Sequence, residues 1–274
     1  MNISRSNAIS ILKEFATSGH RPLLVLADSY EKYVVKNGKG RKVPLEILNE
    51  FICTSLLSSW NLPFAEPCLI KVDTSLLESA NLSSNQNIDH FTPNCFGSKY
   101  LENSDDVNNL ILATKNKHDF NKILNPMEVI KIGLFDTWVE NLDRRNLNYN
   151  LMLTHENGKI KFTPIDHCFV FNQLEYKELN PAVFNPSANE HLLDSELGVF
   201  LKKYIPITPE FLKSERDYFY YCIGECKKNV IQDLNFLLKT FNLPENTFIP
   251  LQAYLFDENR SGKVFEEFKC RMLL

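Results

Sequence analysis

Residues 138–171 read WVENLDRRNLNYNLMLTHENGKIKFTPIDHCFVF, and two periodicities meet in them. A helical apolar face, carried by Val129, Ile130, Leu134, Trp138 and Val139, runs in from Asn125-Pro126, a capping amide followed by a first-turn proline. A polar loop follows, holding the acid Asp143 and amides at Asn146, Asn148 and Asn150. Then a hairpin is predicted: Leu151 to Thr154, a turn at Glu156-Asn157-Gly158, and a return strand from Lys159 to Ile165. That strand ends in Asp166, between Ile165 and the apolar Phe169-Val170-Phe171. An acid in such surroundings is costly to bury unless something pairs with it. The hairpin can return Asp166 to the loop, so that two carboxylates and an amide oxygen converge. Hard oxygen donors of this kind hold Mg²⁺ together with substrate phosphates. A second acid, Asp143, can orient a hydroxyl or accept its proton.

Upstream, residues 22–36 read as two strands, a continuous apolar run and a second run ending Val34-Val35-Lys36, with polar residues 28–32 between them. Asn37-Gly38-Lys39-Gly40 is a turn. A helix is predicted from Pro44 to about Trp60, with Leu45, Leu48, Ile52 and Leu56 at helical spacing. Residues 65–72 form a further strand. Residues 73–94 are a long connector with one helical turn near residues 75–80, and residues 95–100 a short strand or turn. From about Glu190 the pattern is helical to the end, with Thr208-Pro209 starting one helix and Ser261 capping the last. The opening MNISRSNAISILKEF reads as the start of an amphipathic helix rather than as a signal peptide. Strands first and helices later, with one hairpin between, make an α+β chain in two lobes, 1–72 and 73–274.

The 274 residues, 44 % hydrophobic and 23 % charged, suffice for a full buried core. The formal net charge of −4 argues against nucleic acid as the main partner, because phosphate backbones need a strong positive field. Charge is uneven: residues 1–72 carry nine Lys/Arg against six Asp/Glu, compatible with a phosphate-bearing ligand or with solvated surface charge. Seven dispersed cysteines lack metal-site spacing and suit buried thiols in a reducing cytoplasm. No run approaches the roughly 20 apolar residues of a membrane span.

Asn141-Leu142-Asp143-Arg144, then Asn148-Tyr149-Asn150-Leu151, then Ile165-Asp166-His167 resemble the catalytic core of HipA-like kinases. They are also similar to type II phosphatidylinositol 4-kinases, both within the wider protein-kinase-like fold. The resemblance spans residues 22–171 and implies a small, mainly β N-lobe and a larger helical C-lobe with ATP between them. It implies Asp143 as the catalytic-loop acid and Asn148 with Asp166 as ligands of Mg²⁺. Asn150 is the rival of Asn148, because it directly precedes the strand. Lys36 becomes the strand lysine that reaches the nucleotide phosphates, and Glu50 its partner on the following helix. Asn141 belongs to the same motif. Without the resemblance, Lys36 would read as a strand-end lysine reaching for water.

Arg144 reads equally as a structural residue or as a bridge to substrate or phosphate. His167 and Asp136 read as packing and hydrogen-bonding residues, Lys71 and Lys99 as surface lysines, and residues 218–221 as core aromatics. The implied acceptor is a protein Ser/Thr hydroxyl, the chain's own included. A lipid headgroup ranks lower, for want of a basic amphipathic helix, and a small-molecule hydroxyl stays open. With no DNA-binding module in view, any repressor role needs a separately encoded partner. One feature departs from the family pattern: residues 27–32, between the two strands read as the first pair, contain no glycine. That favours an alternative, a pseudokinase or interaction module without transfer.

Overall fold

The structure is a computed structural model, and it describes residues 3–16, 21–84, 86–91, 94–107, 116–186 and 191–274. Its first half contains β1 (Ser4–Glu14), β2 (Leu23–Ala27), β3 (Lys32–Lys36), α1 (Leu45–Ser59), β4 (Pro67–Lys71), α2 (Thr74–Ser79) and β5 (Cys95–Lys99). The second holds β6 (Ser104–Asp106), α3 (Lys117–Lys122), α4 (Pro126–Val139), β7 (Leu151–Glu156), β8 (Lys159–Pro164), α5 (Glu196–Lys202), α6 (Pro209–Thr240), α7 (Ile249–Leu255) and α8 (Glu258–Leu273). Strands β1-β2-β3-β5-β4 close a barrel, and β6-β7-β8 form a second sheet.

The N-terminal segment corrects the helical expectation. Residues 4–14 pair antiparallel with β2 and parallel with β4, which closes the barrel. Register shifts between Ala8 and Ser10 and between Ile11 and Lys13 break the two-residue alternation. Ile9, Ile11 and Leu12 therefore mimic a helical stripe, and tertiary pairing overrides it. The boundary drawn at residue 72 also moves. The connector contains α2 and a turn of 3₁₀ helix at Ile88–Phe91, then returns to the barrel as β5, which pairs with both β3 and β4. The barrel strands thus extend to Lys99, and the chain enters the second sheet at Ser104. Residues 85, 92 and 93 of that connector, and Glu190 with its three preceding residues, lie outside the described residues.

Two apolar cores result. Leu23, Val25, Val35, Cys68, Ile70 and Phe91 fill the barrel. A larger core joins α1 to α4, α6 and the C-terminal helices. The twelve successive residues from Glu46 to Leu57 of α1 are all buried, so this helix is packed on every side. Trp60, just past its end, stacks on Trp138 of α4 with ring centroids 5.4 Å apart, and Ser55 donates to the Asp233 carboxylate on α6.

Two C-terminal details differ from expectation. Asp257 caps α8, accepting from the Arg260 amide at 2.8 Å, and Ser261 lies one turn inside, bonded to the Asp257 carbonyl. Asp and Ser cap equally well, and the earlier one is used. Among residues 218–221, Phe219 is buried and Tyr218 is partly so, whereas Tyr220 and Tyr221 are exposed. Only one edge of α6 faces the core there.

Candidate active site

A cleft of about 620 Å³ opens where the barrel meets the second sheet. Val34, Leu57, Phe64 and Phe96 give it apolar walls, and Lys36, Glu50, Asn148, Asn150 and Asp166 supply its polar groups. That size and mixture suit a small organic ligand with a charged end.

Lys36 ends β3 and Glu50 lies one turn into buried α1, so the barrel presents the ammonium and the helix meets it. Nζ of Lys36 stands 2.6 Å from Glu50 Oε1 and 2.8 Å from Asp166 Oδ1. Cys168 Sγ is 3.6 Å from Nζ and 3.4 Å from Glu50 Oε1. Burial works against the ammonium, but the Asp166 and Glu50 carboxylates hold it well above the usual lysine range. Burial pushes the Cys168 thiol up, so it is an uncharged neighbour. Glu50, Asp166 and Cys168 offer three donor atoms within 4.8 Å of one another, and the ammonium standing among them accounts for the cluster.

The loop after α4 is built on Asp136. Asn141 donates to its Oδ1 at 2.9 Å and Arg144 Nε to its Oδ2 at 2.8 Å. Asn141 Oδ1 in turn accepts from the Asp143 amide at 3.1 Å. Arg144 is fully buried. It also donates to the carbonyls of Tyr149, Asn150 and Ile165 and meets His167 Nε2 at 3.0 Å. The guanidinium is thus used up inside, tying the loop to the end of β8, and its place leaves nothing to bridge a substrate. The hairpin closes as expected, and Ile165 N donates to the Asn150 carbonyl at 2.9 Å.

Asn150 Nδ2 donates to Asp143 Oδ2 at 3.1 Å, which turns Asn150 Oδ1 the other way. Asn148 lines the cleft, its backbone held by a two-way bridge to Arg145 at 2.9 and 3.0 Å. Asp143 is half-buried and lies just outside the cleft lining, joined to it through Asn150. Asn150 and Asp166 both take left-handed backbone angles, φ 45° and 56°. Asn and Asp tolerate that region better than other side chains with a Cβ. The structure therefore gathers Lys36, Glu50, Asp166, Asn148 and Asn150 at one cleft, with Asp143 one hydrogen bond away. Asp166 and the amides that line the same cleft carry the hard oxygen donors a divalent cation prefers.

The glycine-free segment is relieved of its supposed role. Residues 28–31 join β2 to β3, and none of them lines the cleft. Because β1 is a strand, the first strand connection is the one from Glu14 to Leu23. Its flanks Phe15 and Pro22 border the cleft, beside the Leu23↔Val35 pairing that precedes Lys36. Misreading β1 hid this. Lys99 also lines the cleft while pairing with Glu31 at 3.1 Å, more than a plain surface lysine. Cys168, expected only as one of the buried thiols, is buried here and stands beside Lys36.

A sequence model of the HipA-like kinase family matches residues 8–199. The chain belongs to the HipA-like kinase family. Among solved structures, this HipA-like kinase is similar to the Helicobacter pylori proinflammatory kinase CtkA, with a TM-score of 0.55 and 15 % identity over 99 % of this chain and 98 % of that one. Hydra Fam20, solved with sugar, gives a TM-score of 0.46 at 11 % identity, covering 97 % of this chain and 86 % of its own. The Golgi casein kinase with Mn/ADP bound gives 0.45 at 10 %, covering 99 % and 74 %. A search of curated proteins returned no match. The α+β kinase-like fold follows from the CtkA likeness, and family and fold together support a phosphotransferase.

Two expected results follow from the buried groups. Replacing Arg144 of this HipA-like kinase by methionine should lower stability by about 3–5 kcal/mol in urea denaturation, because it leaves the buried Asp136 carboxylate uncompensated. Asp136→Asn in the same chain should recover part of the loss, and a single Arg144→Met effect near zero would contradict the clamp. Burial, with Arg144 nearby, holds His167 well below the usual histidine range, and burial brings His191 down to about 3. Both are neutral in the fold, whereas the unfolded chain takes up their protons near pH 6.5. Stability is therefore full above that pH and is lost as pH falls below it, by about 2 kcal/mol from His191 alone between pH 7 and 5. His167 adds in the same direction. Urea midpoints at pH 7, 6 and 5 measure the slope, which His191→Gln should reduce.

Proposed function

We propose that this chain is an ATP- and Mg²⁺-dependent kinase whose acceptor is a Ser or Thr hydroxyl of a protein, its own chain included. The observation that carries the proposal is the position of Lys36, held between Glu50 and Asp166 at a cleft that Asn148 and Asn150 also border. On this reading the barrel with α1 is the N-lobe and the rest the C-lobe, with ATP between them. The apolar walls take the base, and Lys36 takes the nonreacting phosphates.

Asp166 and Asn148 would hold the metal, and Asn150 orients Asp143. When bound, the cation supplies positive charge to the phosphates. Asp143 accepts the acceptor's proton as the new O–P bond forms. The bond from the γ-phosphorus to its bridging oxygen breaks, and ADP leaves with the electron pair. The glycine-free segment that favours the pseudokinase alternative lies away from the cleft lining, and transfer itself decides between the two readings. Among the described residues no helix is long and apolar enough to cross a membrane. We place the chain in the cytoplasm, where its free thiols persist, with any DNA-directed partner encoded separately.

The test is transfer from γ-labelled ATP with Mg²⁺, using the purified chain alone and with a cell lysate, beside binding of a fluorescent ATP analogue. Label on protein supports the proposal. Binding without transfer to protein, lipid or small-molecule acceptors would restore the pseudokinase, and absence of binding would overturn the nucleotide site itself.

A further inference from the structure

Asn49 is a buried amide on a helix that also places Ile47, Leu48, Phe51 and Ile52 in the core. A leucine would bring no polar atoms into the core, whereas an amide must be fully paired to be tolerated. Its partners point one way. Asn49 Nδ2 donates to the Cys168 carbonyl at 3.0 Å, and its Oδ1 accepts from the Tyr176 hydroxyl at 2.8 Å. The next residue of α1, Glu50, accepts from the His167 amide at 3.0 Å through Oε2 while Oε1 holds Lys36. Two successive helix side chains therefore grip the backbone of the two residues immediately after Asp166. Tyr176 is itself buried, its ring packed on Phe171 and Phe248, so its hydroxyl fixes the rotation of the Asn49 amide.

Asp166 needs such a hold. Its φ of 56° lies in the left-handed region, and its side chain keeps about a third of its surface exposed at the cleft. A strained residue persists only where its surroundings over-determine it. We propose that Asn49 and Tyr176 are positioning residues for phosphoryl transfer, acting through the 167–168 backbone to aim the Asp166 carboxylate at the metal. The inference rests on the kinase reading and goes beyond it, to residues outside the catalytic motif.

The experiment uses the full chain and the variants Tyr176→Phe, Asn49→Ala and both together. Tyr176→Phe removes one oxygen and keeps the packing, so it remains informative if Asn49→Ala folds poorly. The first readout is the Mg²⁺ concentration that half-saturates label transfer at fixed, saturating ATP. Tyr176→Phe should raise it roughly fivefold, the factor one neutral hydrogen bond supplies, and Asn49→Ala about tenfold or more. The double variant should match Asn49→Ala, because the hydroxyl acts only through the amide. The second readout is amide hydrogen exchange over residues 166–171 of the nucleotide-free protein, which should quicken in each variant. An unchanged Mg²⁺ requirement with a lowered melting temperature would mark a merely structural role and overturn the proposal, as would multiplicative shifts in the double variant. If the wild type transfers no label, the kinase reading fails instead, and unchanged exchange in Tyr176→Phe would then dispose of the positioning link as well.

Discussion

Asp143→Asn is expected to slow phosphoryl transfer by about 10²–10⁴-fold, the range general-base catalysis supplies, while Mg²⁺-nucleotide affinity stays within about twofold, well inside what one neutral hydrogen bond contributes. The asparagine preserves the surroundings. Asn141 Oδ1 still accepts from the backbone amide at this position, and Asn150 still has an oxygen to donate to. What disappears is the capacity to take a proton. Asp143 stands outside the cleft lining, so the nucleotide loses no contact. The measurement is single-turnover transfer beside equilibrium binding of a fluorescent ATP analogue. Transfer at the wild-type rate would remove Asp143 from the chemistry. Equal loss of binding and transfer would make it a scaffold residue.

Asp166→Asn should have the opposite signature: Mg²⁺-dependent nucleotide affinity falls by about 10–100-fold or more, the loss in metal affinity that follows even removal of a ligand's supporting partner. Asparagine is the better probe than alanine because it tolerates the left-handed backbone at this position. Lys36 would keep its Glu50 contact at 2.6 Å, so phosphate binding without metal should persist. Affinities measured with Mg²⁺ and with chelator should therefore coincide in the variant and differ in the wild type. A variant that still gains affinity on adding Mg²⁺ would show that the cation is held elsewhere.

The legible part of the sequence was the local part. β2, β3, α1, α4 and the hairpin announced themselves through apolar period, Pro126 and Asn157-Gly158, because each is decided by neighbours in the chain. β1 was lost to two register irregularities, and with it the connection that borders the cleft. The boundary at residue 72 failed because β5 returns to the barrel after a connector, and pairing between distant strands leaves no mark on spacing. The meeting of Lys36 with Asp166, 130 positions apart, was available only through resemblance. Arg144 could not be settled from sequence. An arginine beside a catalytic loop reads the same whether it faces solvent or, as here, meets a buried aspartate and three carbonyls. The Asn49 amide was printed among apolar residues, and only its partners give it meaning.

The burial of α1 also governs how the molecule comes apart. This helix lies in the chain between two barrel strands, yet it packs chiefly against α6, and Trp60 beyond it stacks on Trp138. The larger core is incomplete without it, whereas the barrel core is filled without any of its residues. A fragment ending after β5 would carry into water the α1 positions that pack on α6, and a fragment starting there would lose the partner of α6. Barrel and helices are therefore expected to melt together, because the helix that the chain places among the barrel strands completes the core of the other portion.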